Sequence, residues 1–114
     1  MELKGEDYHV YYNESGKAIV FSGTLRLRDS AEYQKLSEML STVHAGGTGM
    51  LVMDFKNLQF LNSSGINTIS KFIINARKAD KLQIKILGNK DISWQQKSLR
   101  NLQKLWSSVQ IELA

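Results

Sequence analysis

Two serines set between an asparagine and a glycine, Asn62-Ser63-Ser64-Gly65, stand where an apolar stretch gives way to a helical pattern. They are the residues of this chain best placed to do chemistry. Short polar side chains at such a junction accept hydrogen bonds from the unpaired N–H groups of a first helical turn. The same position sets a hydroxyl against the positive end of the helix dipole, where a bound or attached phosphate is favoured. A capping role and a phosphate-bearing role are both open to this turn.

Other reactive patterns are weaker. The two histidines, His9 in a strand pattern and His44 at a helix end, lack the spacing of a metal site and read as surface or cap residues. Gly46-Gly47-Thr48-Gly49 is glycine-rich but has neither the lysine nor the spacing of a phosphate-binding loop. Ser63 and Ser64 lack the Gly-x-Ser-x-Gly elbow, and a triad would need His9 or His44 beside them. Asp54, an acid in an apolar run, reads as pairing with a backbone N–H or a nearby lysine. The chain has no cysteine, which removes disulfides, thiolate metal sites and thiol nucleophiles. The expectation is a non-enzyme, with no catalytic residue, no metal and no cofactor.

The elements that position the serine turn follow from periodicity. Tyr8 to Tyr12 and Ala18 to Leu25 read as strands joined by the turn Asn13 to Lys17, an antiparallel hairpin with Gly16 supplying conformational freedom. Gly23 breaks the second strand and marks a bulge or a close backbone approach. Asp29-Ser30-Ala31-Glu32 opens a helix as a capping box, and Tyr33, Leu36, Leu40 and Val43 mark its buried face. Met50 to Phe55 is apolar almost throughout and reads as a central strand buried on both faces. After the serine turn, Ile66, Ile69, Ile73 and Ala76 mark a second helix that ends at Ala79-Asp80-Lys81. Leu82 to Leu87 is a strand, and Ser93-Trp94-Gln95-Gln96 resembles a second capping box. Leu99, Leu102, Leu105 and Trp106 mark the third helix, and Val109 to Leu113 is a closing strand. The order β-β-α-β-α-β-α-β predicts an α/β fold, a single-layer mixed β-sheet packed with helices through right-handed crossovers. All 114 residues form one domain, with residues 1–7 a loose N-terminal tail.

The net charge of +4 is uneven. Residues 1–70 carry six basic and eight acidic side chains, −2, and residues 71–114 carry nine and three, +6. A basic half can serve nucleic acid, an anionic membrane or an acidic protein, or be a solvated lysine-rich surface. The charges interleave with apolar residues, and no recognised nucleic-acid motif is present, so a protein partner is expected before nucleic acid. The polar N-terminus has no signal-peptide core, and no apolar run approaches the ~20 residues that span a bilayer. The expectation is a cytoplasmic protein with no membrane association.

The stretch Asp54 to Ile66 resembles the central signature of the STAS domain, the fold of bacterial anti-sigma factor antagonists and of the cytoplasmic tail of sulfate transporters. That pattern is an apolar strand ending in Asp, a short apolar spacer, then Asp-Ser-Ser-Gly-Leu opening a helix. The resemblance extends in element order over nearly the whole chain. It implies a switch that binds a kinase-type regulator, is phosphorylated on a serine of this turn and is restored by a PP2C-type phosphatase. Ser64 falls on the phosphoacceptor, with Ser63 as second choice. Asn62, Ser63, Gly65, Ile66, Arg26, Arg28 and Ser30 fall on the partner-contact surface. Two departures, Asn62 for the family Asp and Arg26 for an Asp that contacts the partner, point to a divergent bacterial subgroup with a different regulator. A constitutive interaction or scaffold module, and nucleotide or nucleic-acid binding by the basic C-terminal half, are the alternatives.

Overall fold

The computed structural model describes residues 1–114. Six strands form one sheet in sequential order: β1 Glu2–Lys4, β2 Tyr8–Asn13, β3 Ala18–Leu25, β4 Met50–Leu61, β5 Gln83–Gly88 and β6 Gln110–Leu113. The pairs β1–β2 and β2–β3 are antiparallel, and β3 through β6 run parallel. Helices α1 Ser30–Gly46, α2 Ser63–Ala79 and α3 Ser93–Leu105 make the three crossovers.

Each crossover moves the chain one strand in the same direction, so right-handedness places all three helices on one face. The burial pattern records it. Leu51, Met53 and Phe55 of β4 are sealed against the helices, while Val52 and Asp54 between them are only half-buried. The expectation that β4 is covered on both faces is therefore corrected. It is central in the sheet, but no helix lies over its second face. Beneath the helices Phe21 and Phe55 stack at 4.6 Å, and the core is one continuous cluster from Val10 to Val109. Each fully buried side chain of this size contributes about 1.5–3 kcal/mol.

Three local expectations also change. The first seven residues are not a loose tail: Glu2–Lys4 pairs with His9–Tyr11, and the His9 ring meets Glu2 Oε2 at 2.5 Å. At the β2–β3 turn the residue with positive φ is Lys17, at 50°, and not Gly16. The Ser93 capping box does not form. Ile92 is the N-cap without a side-chain bond, and Gln96 donates to the Lys90 carbonyl. By contrast, Asp29 caps α1 by accepting from Glu32 N at 2.9 Å, and the Glu32 carboxylate accepts from Arg28 N. Asp54 accepts from Lys56 N at 3.0 Å and lies 3.8 Å from its ammonium. No helix is long and apolar enough to cross a membrane.

His44, in the last turn of α1, packs edge-on to Phe72 of α2 with Nε2 buried and unpartnered. Burial first, and the charge of Lys81 second, hold its pKa below the usual 6.5. The unfolded chain therefore binds a proton at this residue before the folded one does. Its contribution is complete above about pH 6.5 and is lost as pH falls through that value toward the lower folded pKa. Thermal melts are expected to show a falling Tm from about pH 7.5 to about pH 5.5. The fall should be shallower in His44→Gln, and an equally steep fall in that variant would remove His44 as a cause.

Candidate functional site: the serine turn

The turn sits at the end of a strand that outruns its neighbour. β4 has 12 residues and β5 has six, and their pairing stops at Asp54–Leu87. Beyond it, β4 continues along β3 with a register shift between Val20 and Ser22 and another at Gly23. On the side where β5 has ended, side chains take over. Gln95 Nε2 donates to the carbonyls of Phe55 at 2.6 Å and Leu58 at 3.0 Å, and its Oε1 accepts from Asn89 N at 2.7 Å. Trp94 Nε1 also donates to Leu58 O, and Asn89 Nδ2 to Lys56 O. Gln95 is fully buried, the one polar residue in the core. The serine turn is thus carried on an extension of β4 that β3 supports on one side and these amides on the other.

Asn62 is the N-cap of α2. Its Oδ1 accepts from Gly65 N at 2.9 Å, and its carbonyl accepts from Ile66 N at 2.9 Å. The Tyr33 hydroxyl lies 2.8 Å from the same Oδ1 and 2.9 Å from the Leu27 carbonyl, so one phenol ties the serine turn to the β3–α1 loop. Ser63 and Ser64 are the first two residues of the helix, both exposed, and neither hydroxyl has a hydrogen-bond partner in the protein. The Ser64 carbonyl accepts from Thr68 Oγ1. One residue caps while the next is presented, and the first turn of α2 has no acid to oppose an added anion. An Asp at position 62 would accept the same two bonds, so Asn62 keeps the geometry and leaves out a charge next to the serines.

The predicted contact residues fall into three places. Ser64 and Ser30 share a polar groove of about 370 Å³ between α1 and α2, with Tyr33, Asn67 and Lys71 also in its wall. Arg26 and Arg28 face a second hollow, of about 490 Å³, together with Lys4, Asp7 and Lys35. Gly65 is buried, and a Cβ there would stand 2.4 Å from Leu61 Cδ1, so the turn packs on the end of β4 with no room for a larger residue. Ile66 is half-buried and packs on the core. His9 and His44 both lie away from the turn, one beside Ser22 on the sheet and the other against Phe72.

Two residues of the site escaped the sequence reading. Tyr33 is periodic with the core positions of α1, which hides its hydroxyl's role. Phe60 looks like the last apolar residue before the turn, yet it is 37 % exposed, with the Arg26 guanidinium 4.8 Å above its ring. An arginine stacked on an exposed aromatic is the composition of an interface anchor. The signal for it is that β4 changes register between Asp54 and Asn57, so alternation no longer tells which face Phe60 takes.

No family model matches the chain, and no curated protein is similar to it in sequence. Solved structures are similar in fold. A chain of the complex of the diguanylate cyclase SiaD with its activator SiaC, from Pseudomonas aeruginosa, superposes with a TM-score of 0.76 at 13 % identity, over 100 % of this chain and 99 % of that one. SiaC of the same organism gives 0.74 at 13 % identity, over 100 % and 98 %. Apo-SiaC gives 0.74 at 14 % identity, over 99 % and 96 %. At this identity the likeness is one of fold, and it covers the chain from end to end.

Proposed function

We propose that this chain is a divergent STAS-like binding switch of bacterial signalling, working in the cytoplasm and without enzymatic activity of its own. Its regulator is a kinase-type protein that phosphorylates Ser64, and a PP2C-type phosphatase removes the phosphate. The observation that carries the reading is the division of labour at the turn. Asn62 does the capping, and the Ser64 hydroxyl stands exposed and unpartnered at the helix N-terminus. A phosphoserine there carries about −1.5 to −2 charges. The free N–H groups of the first turn and the helix dipole favour that charge, so the modified domain stays folded. What changes is the surface shown to a partner. Arg26 over Phe60, Arg28 and Ser30 complete that surface. The fold shared with SiaC, the activator of the diguanylate cyclase SiaD, supports an effector that is itself a signalling protein.

Ser64→Asp is expected to weaken binding of the natural partner about tenfold or more, and Ser64→Ala to retain it. In protein taken from its own host, mass spectrometry of the tryptic peptide spanning 57–71 should place a phosphate on Ser64. Phosphate only on Ser63 or Thr68 would move the acceptor. No phosphate under any growth condition, with both variants binding alike, would leave a constitutive scaffold in place of a switch.

A further inference from the structure

Helices α2 and α3 are neighbours on the covered face of the sheet, and neither contains an aspartate or glutamate. Lys71 and Lys78 stand on the exposed side of α2, and Lys97, Arg100 and Lys104 on the exposed side of α3. None of the five takes part in an ion pair; the ion pairs of the molecule lie at His9, Lys56 and Lys85. The remaining basic residue of the two helices, Arg77, donates to the Leu105 carbonyl and fastens α2 to the end of α3. The acids that flank them in sequence lie beyond the helix ends, at Asp80 and Asp91, and those of the adjoining helix α1 are Glu32 and Glu38. The uneven charge of the sequence thus becomes one outward surface of unpaired cations.

The spacing links this surface to the serine turn. Ser64, Lys71 and Lys78 recur every seven residues, two helical turns apart, and so lie in one exposed row along α2, with Ser64 and Lys71 at the rim of the groove it forms with α1. Between the two lysines, Ile74 is 37 % exposed. No aromatic residue on the outward sides of α2 and α3 offers a platform for nucleic-acid bases, and four of the five cations are lysines, which act as point charges. A row of cations around one apolar residue is complementary to an acidic surface that carries an apolar residue of its own.

We propose that the outward faces of α2 and α3 form a docking surface for an acidic, amphipathic segment of a protein partner. The proposal rests on the switch reading and gives its sign a cause. Phosphate on Ser64 sets negative charge at one end of the lysine row, where it competes with the partner's carboxylates and repels them.

The probe is a fluorescent helical peptide of about 18 residues, five turns, with glutamates along one flank and leucines along the seam. Binding to the intact protein is read by anisotropy at low and physiological salt. Polyglutamate of equal charge, duplex DNA and phosphatidylglycerol vesicles are the comparisons. The amphipathic peptide is expected to bind best and to weaken with salt. The double variant Lys71→Glu/Lys78→Glu should lose about tenfold or more in affinity, and Ile74→Ser about threefold. These exposed substitutions leave the core intact, and a melt of each variant checks this. Equal or tighter binding of DNA or vesicles would reassign the surface to nucleic acid or membrane. Absence of peptide binding, or indifference to the charge reversal, would overturn the proposal. If reversal has no effect while Ser64→Asp still releases the natural partner, the docking surface fails and the switch stands. If reversal weakens the peptide but neither Ser64 variant alters the natural complex, the switch fails and the surface remains as a plain contact.

Discussion

Gln95→Leu is expected to lower the stability of the domain by about 3 kcal/mol, which is about 12 °C in Tm for a chain of this size. The cause is specific. Leucine fills similar volume but offers no donor to Phe55 O, which Gln95 meets at 2.6 Å, and no acceptor to Asn89 N, met at 2.7 Å. Leu58 O keeps the Trp94 indole, so the buried Phe55 carbonyl and the part-buried Asn89 N–H lose their side-chain partner, each at about 1–3 kcal/mol. Against a total of about 5–15 kcal/mol for a domain, this is a large fraction. Damage should concentrate where β4 outruns β5. Amide exchange at Asn89 and through the Asn57–Ser64 stretch should speed up more than exchange at Leu51 or Ile84. Gln96→Leu is the control. Its amide reaches only an exposed carbonyl at Lys90, and a change within about 1 kcal/mol is expected. Equal losses in the two variants would refute the role given to Gln95.

The same residue shows where sequence reasoning stops. Ser93-Trp94-Gln95-Gln96 reads as a capping box because Ser-x-x-Gln is a local pattern, and Gln96 fits its last position. The glutamine that matters is the neighbouring one, and the carbonyls it donates to lie about 40 residues earlier in the chain. Nothing in helix periodicity marks a core position that must be an amide; that need arises only because β4 is twice as long as β5. β4's length was itself illegible, since Asn57 and Gln59 interrupt the apolar run at the register change and make the strand look finished at Phe55. The strand Glu2–Lys4 is too short and too polar to show itself, and what fixes it is its partner, His9–Tyr11.

What was legible is what local chemistry dictates. Asp29 and Asn62 both cap helices, because a short acceptor next to free N–H groups has one good use. The alternation of strands and helices forces right-handed crossovers, and the parallel order β3 through β6 follows. At the serine turn the residue types announced a cap and a free hydroxyl, and the structure assigns the first to Asn62 and leaves the second to Ser63 and Ser64. The link from Tyr33 to Asn62 and Leu27 joins residues far apart in sequence, and no spacing rule predicts it.

Gly23→Ala should be the most damaging glycine substitution for the edge of the molecule. Gly23 has φ of 85°, and its Cβ would stand 2.2 Å from the Asp7 carbonyl oxygen. The obstruction is backbone, so no rotamer change relieves it. That carbonyl is also fixed, because it accepts from Thr24 N at 2.7 Å. A side chain in the left-handed region costs about 1–2 kcal/mol, and losing the Thr24 bond adds about 1 kcal/mol. The expected loss is about 3 kcal/mol by chemical denaturation. The loop between β1 and β2 should lift away, so amides of Gly5 and Thr24 should exchange faster while that of Gly65, held by the Asn62 cap, stays protected. Arg26 and Phe60 flank this bulge, so binding of the natural partner should weaken in parallel. Gly16→Ala supplies the contrast. A Cβ there meets nothing closer than 3.5 Å and φ is not positive, so stability should hold within about 0.5 kcal/mol. If Gly23→Ala were as stable as Gly16→Ala, the close approach of the N-terminal loop to β3 would not be a constraint on this fold.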